Sequence, residues 1–112
     1  MTNDCLFCAI VAGEVPGTVV YQDSATVAFR DVAPVAPTHV LVVTREHLAN
    51  LAELGGRPEL AAALVAAVRA TAAALQLAEF RTVFNTGPSA GQTVEHVHAH
   101  LLSGRQFSWP PG

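Results

Sequence analysis

His96-Val97-His98-Ala99-His100 is the stretch whose reading decides this chain. Successive side chains of a strand point to opposite faces, so this spacing lines three imidazoles along one face and leaves Val97, Ala99, Leu101 and Leu102 for the buried side. Three of the five histidines of the chain fall in this window. Imidazole has the unperturbed pKa nearest neutrality, so such a row can hold nucleophile, proton donor and ligand side by side. The plain alternative is a surface strand whose polar face happens to use histidine.

The 112 residues suit one domain, 1–112, within the usual range of domain sizes. Hydrophobic residues make up 51% of the chain, enough for a core, but charges and prolines interrupt them too often for a bilayer span. Met1-Thr2-Asn3-Asp4 carries no basic region leading into a long apolar run, so the expectation is a cytoplasmic protein without a secretory signal. A formal charge of −3 with only six Lys and Arg argues against a nucleic-acid polymer as partner, because that binding needs a basic surface. Small phosphorylated ligands need only local donors and stay compatible.

Cys5-Leu6-Phe7-Cys8 contains the only cysteines. The spacing reads as half of a zinc site or as a redox pair, and two thiols that merely pack are the simpler alternative. A redox motif normally follows a strand and opens a helix, whereas nothing precedes this pair, which favours zinc.

The residues from Cys5 to Ala12 read as a short helix closed by Gly13. Thr18 to Gln22 and Ala25 to Asp31 flank a polar turn at Asp23-Ser24 and read as a β-hairpin. The apolar run from His39 to Thr44 reads as a central strand. The segment His47-Leu48-Ala49-Asn50-Leu51 reads as a short helix ending at Gly55-Gly56. Pro58 and Glu59 suit the start of a long helix of about twenty residues, roughly 30 Å, with Leu60, Leu64, Val68 and Leu75 on its buried face. Arg81 to Thr86 reads as a fourth strand and Gly87 to Thr93 as a turn into the histidines. This order predicts an α+β domain with a mainly antiparallel sheet. Leading into the histidines, the side chains of Asn85, Gln92 and Thr93 offer uncharged donors, and Gly87 and Gly91 allow close backbone approach to phosphate oxygens.

On these residues the sequence resembles the histidine triad (HIT) superfamily, and within it the Hint branch of histidine triad nucleotide-binding proteins. The likeness rests on His96 to Leu102, on Asn85-Thr86-Gly87 and Gly91-Gln92-Thr93-Val94, and on Phe29-Arg30-Asp31. It extends through Ala36 to Val43 and ends in Gly104-Arg105-Gln106 and Trp109-Pro110-Pro111-Gly112. The resemblance implies a HIT-like fold: a five-stranded antiparallel sheet with one long and one or two short helices, extended across a homodimer. It implies hydrolysis of purine nucleoside phosphoramidates, such as AMP-amine or AMP-lysine conjugates, to the monophosphate. His98 would be the nucleophile, His100 a donor at the phosphate and leaving group, and Gln92 and Thr93 stabilisers of developing charge. Asn85, Gly91 and Val94 would complete the phosphate side. Asp31 would bind the ribose hydroxyls, with Phe7, Ile10, Phe29, Val32 and Leu41 as apolar walls around the purine. Trp109 would reach the site of the partner subunit. Arg30 departs from the histidine common there in animal Hint proteins.

The cysteines resemble those of bacterial relatives, where Cys5, Cys8, His47 and His96 would hold a structural zinc. His39 would orient the triad without being a ligand. Three other readings stay open. A metallohydrolase with zinc on the triad would need a sharp bulge, because His96 and His100 are about 13 Å apart on a regular strand. A nucleotide-binding regulatory module with little turnover, and a dinucleoside polyphosphate hydrolase, are the others.

Overall fold

The computed structural model describes residues 4–112; residues 1–3, which entered the leader reading, lie outside them. Strands β1 (Val19–Gln22) and β2 (Thr26–Arg30) form the expected hairpin. Asp23 closes it, its Oδ1 accepting from the amides of Ala25 and Thr26 and from the Thr26 hydroxyl. Strand β3 (Thr38–Thr44) pairs with β2, and all its residues after Thr38 are buried. A strand covered on both faces reads as a continuous apolar run, which is why alternation is lost there. Strands β4 (Arg81–Val83) and β5 (His98–Ser103) complete an antiparallel sheet in the order β1-β2-β3-β5-β4.

One face is covered by α3 (Pro58–Ala74), whose Leu64, Ala67, Val68, Thr71 and Ala72 pack on Ala28, Val40, Val42, Ala99 and Leu101. Leu60 and Leu75 are only partly buried at its ends. The other face carries Val27, Phe29, Leu41 and Val43, and α1 (Leu6–Val11) lays Phe7 against them. His98 pairs with Val43 and His100 with Leu41. Because alternation puts Ala99 and Leu101 toward α3, both histidines face the α1 side.

Four expectations are corrected. The ladder of β5 begins at His98, so His96 does not continue the row. A bend in which the His96 amide donates to the Val94 carbonyl at 2.9 Å turns it away, and the Val97 amide donates to the Leu48 carbonyl. The fourth strand ends at Val83, opposite His100, for the same reason: the chain before His98 leaves the sheet. Helix α2 spans only Leu51–Gly55. Asn50 caps it by accepting from the Glu53 amide, while Glu53 reaches back to the Ala49 amide, a reciprocal cap that leaves His47 to Ala49 outside the helix. The long helix has 17 residues rather than twenty.

Candidate active site

Backbone partners fix the tautomers of His39, His96 and His98, because a carbonyl only accepts and an amide only donates. His98 Nδ1 lies 2.7 Å from the His96 carbonyl. It must donate its proton there, which leaves a lone pair on Nε2. The Phe7 ring packs edge-on against His98, 4.9 Å between centroids, and His98 is 6% exposed. Burial holds the His98 pKa below its ordinary value, opposed by the His96 carbonyl and the Asp31 carboxylate. A neutral, desolvated imidazole with a fixed donor on one nitrogen and a free lone pair on the other is a nucleophile.

His100 lies 4.9 Å from His98 by centroid. Its Nδ1 is 2.9 Å from His39 Nε2. The His39 ring reaches it diagonally across the β3–β5 ladder, since His39 pairs with Leu102 and Leu41 with His100. Asp31, just beyond β2, accepts from the Ala33 amide through Oδ1 at 2.8 Å, and its Oδ2 stands 3.4 Å from His39 Nε2.

Burial, reinforced by His98 and His39, pushes His100 down from 6.5 to about 4. This depressed value has a stability consequence with a definite sign. Between pH 6.5 and about 4 the unfolded chain binds a proton at His100 that the folded chain refuses, so stability falls as the pH is lowered through that window. Urea midpoints at pH 7 and 5 are expected to differ less for His100→Asn than for the parent. An equal pH slope in both proteins would show that His100 does not titrate in this way.

Asp31, His98 and His100 border a cavity of about 310 Å³ walled by Phe7, Ile10, Phe29, Val32, Leu41, Thr93 and Val94. It is apolar with a few convergent polar groups, the usual make-up of a small-molecule site. Two larger hollows, of about 660 and 540 Å³, lie away from the histidines, one against Gln76 to Arg81 and Ser103 to Phe107 and the other against Ala25, Gly56 to Leu60 and Ala63. Arg30 also lines the histidine cavity, as do Leu6, Val15, Pro16 and Gly17, which were missed in the sequence. Pro16-Gly17 was the available signal: a Cβ at Gly17 would come within 2.9 Å of Ile10 Cγ2. Only a bare backbone closes that wall.

Three residues expected at the cavity sit elsewhere. Gln92 donates through Nε2 to the carbonyls of Ala49 and Val94 and accepts the Gly87 amide, so its side chain fastens the turn instead of facing the cavity. Asn85 packs beside Gly91, whose absent Cβ would lie 3.6 Å from Asn85 Nδ2, and neither lines the cavity. Trp109, expected at the partner's site and not at its own, stands 83% exposed outside the cavity of its own chain.

A second cluster joins α1 to the sheet. Cys5 Sγ and Cys8 Sγ lie 3.3 and 3.4 Å from His96 Nδ1, and Cys8 Sγ lies 3.3 Å from His47 Nδ1. All four ligand atoms fall within 4.8 Å of one another. Ligands on a tetrahedral zinc stand roughly 3.5 Å apart for Zn–S and Zn–N bonds near 2.3 and 2.0 Å, so this donor set fits the ion. His96 is fully buried and donates Nε2–H to the Thr44 carbonyl at 2.7 Å, leaving Nδ1 as the ligand atom. Asp31, His39 and His100 also bring ligand atoms within 4.8 Å. There, however, the Val35 amide donates to His39 Nδ1 at 3.1 Å and keeps the proton of a neutral imidazole on the nitrogen that would have to bind.

Fold and histidines together define a histidine-triad protein, and residues 12–107 match the HIT domain family. The chain belongs to that family. It is 42% identical to a "14 kDa zinc-binding protein" of Zea mays over 96% of this chain and 87% of the relative. It is 40% identical to "Adenylylsulfatase HINT1" of Arabidopsis thaliana over 96% of this chain and 76% of the relative. A HIT family hydrolase of Legionella pneumophila superposes with a TM-score of 0.91 at 45% identity, covering 97% of this chain and 100% of the other. Among the described residues no helix is long and apolar enough to cross a membrane.

Proposed function

We propose that the chain, acting as one HIT domain of the Hint branch, is a purine nucleoside phosphoramidate hydrolase of the adenosine 5'-monophosphoramidase type. The observation that carries this is the orientation of His98: Nδ1–H held on the His96 carbonyl at 2.7 Å, beside a cavity it shares with His100 and Asp31. In the proposed reaction His98 Nε2 attacks the α-phosphorus, the P–N bond breaks, and the amine leaves with a proton. Water then attacks the nucleotidyl-histidine, releasing the monophosphate and restoring His98. His100 Nε2–H donates to phosphoryl or leaving-group atoms, Thr93 adds a donor, and Asp31 accepts from the ribose hydroxyls while apolar walls hold the base. Gln92, Asn85 and Gly91 act through the turn they shape, as positioning residues.

Zinc on Cys5, Cys8, His47 and His96 would act as a structural tie, since four protein donors leave no open position for water or substrate. Thiols arranged as ligands suit a reducing compartment such as the cytoplasm. The homodimer is supported by the position of β4 at the sheet edge and by Phe80 and Val65, 43% and 68% exposed. In it Trp109 would reach the partner's cavity.

Single-turnover mixing with adenosine phosphoramidate tests the reading. A burst of amine followed by AMP is expected, with a nucleotidyl adduct trapped in a His100 variant. Binding without amine release would leave a regulatory module instead. Adenylyl sulfate belongs in the same experiment because of the Arabidopsis relative's name, and a dinucleoside polyphosphate tests the remaining branch.

A further inference from the structure

Val35 is an exposed apolar residue, 60% accessible, on the loop between Asp31 and β3. Its side chain has little to do there, yet both of its backbone polar groups are engaged. The amide donates to His39 Nδ1 at 3.1 Å, and the carbonyl accepts from Arg105 Nε at 3.0 Å. Arg105 is itself held: Nη1 donates to the Gln106 carbonyl, and its guanidinium lies 4.2 Å over the Phe107 ring. One residue earlier Gly104, at φ +97°, comes so close to the loop that a Cβ there would be 2.8 Å from Pro37 Cβ. The turn after β5 therefore braces the 34–37 loop at two points.

An amide donor pointed at Nδ1 leaves a neutral His39 only one place for its proton, Nε2. That N–H faces His100 Nδ1 at 2.9 Å, nearer than Asp31 Oδ2 at 3.4 Å. His100 Nδ1 must then accept, and the His100 proton sits on Nε2, the ring's remaining polar atom. Burial keeps both imidazoles neutral at working pH. With the opposite tautomer His100 would present a lone pair to phosphoryl oxygens, a repulsion where a hydrogen bond is wanted.

We propose that Val35 is a positioning residue: its amide, braced by Arg105 and the close approach at Gly104, sets the tautomer of His39 and through it that of His100. The proposal rests on the reading that His100 donates to the substrate. Its structural core, the tautomer chain, can be measured without substrate.

Val35→Pro deletes the amide proton and keeps the carbonyl, whereas Arg105→Ala removes the brace and Arg105→Lys restores a donor. Nitrogen-15 NMR of the imidazoles at neutral pH reads the tautomers directly. The parent is expected to show His39 and His100 protonated on Nε2. Val35→Pro should give mixed tautomers at both, with kcat on adenosine phosphoramidate falling on the order of 10-fold and KM little changed. Arg105→Ala should move the same signals by less, and Arg105→Lys should recover them. Parent tautomers and parent kcat in Val35→Pro would overturn the proposal. Should that variant not fold, unchanged tautomers and kcat in Arg105→Ala would do the same. A parent with the expected tautomers but no turnover would sink the hydrolase reading and leave the tautomer chain standing.

Discussion

His98→Ala is expected to lower P–N bond cleavage by on the order of 10⁴- to 10⁶-fold, the scale reached when a covalent nucleophile is removed. Nucleotide affinity should change far less, because the Asp31 carboxylate and the apolar walls that hold the nucleoside are untouched. His98 is the one imidazole at the cavity whose Nδ1 proton is fixed by a backbone carbonyl, so no neighbour replaces it: the Nδ1 of His100 is tied to His39. The variant loses packing against Phe7, and thermal unfolding with AMP present checks that a dead protein is still folded and binding. Cleavage at the parental rate in a verified His98→Ala sample would end the nucleotidyl-histidine mechanism.

Apolar, β-branched runs bounded by turn residues placed the first strands, and a helical period placed the long helix, because burial writes itself into the sequence. Period-two alternation, used for the histidine strand, failed at His96. Alternation across five residues predicts a continuous row, but the position of His96 is decided by partners far away in sequence, Cys5, Cys8 and the Thr44 carbonyl. The assignment of that residue to a zinc set came from resemblance, and the spacing by itself pointed elsewhere. The misplaced helix start at His47 was legible after all: Asn50 and Glu53 stand three apart, the sign of a reciprocal cap. Gln92 was not legible, since an amide side chain in a glycine turn suits a phosphate and a neighbouring carbonyl equally well. Val35 left no trace either. Its contribution is through backbone atoms, which every residue type shares.

Replacing both Cys5 and Cys8 by serine is expected to abolish zinc binding and to lower Tm by roughly 10 °C or more, from a loss of about 2–4 kcal/mol at 4–8 °C per kcal/mol for a domain near this size. Zinc in finger peptides is worth about 10–16 kcal/mol, but there the metal stands in for a core. Here Leu64, Leu101, Val40 and Val42 are fully buried in a core that does not involve the cluster, so only part of that energy is expected to appear as stability. The ion would tie α1, through its N-cap Cys5, to the bend at His96. Turnover separates this role from a catalytic one. His96 serves both places, its ring turned to the thiols and its carbonyl to His98 Nδ1, so loss of metal should loosen the aim of the nucleophile and reduce kcat of the folded fraction within about 10-fold. A Lewis-acid zinc predicts a double variant as inactive as His98→Ala. Metal analysis, Tm and kcat measured on one preparation distinguish the two, and an inactive but fully folded Cys5→Ser/Cys8→Ser protein would overturn the structural assignment.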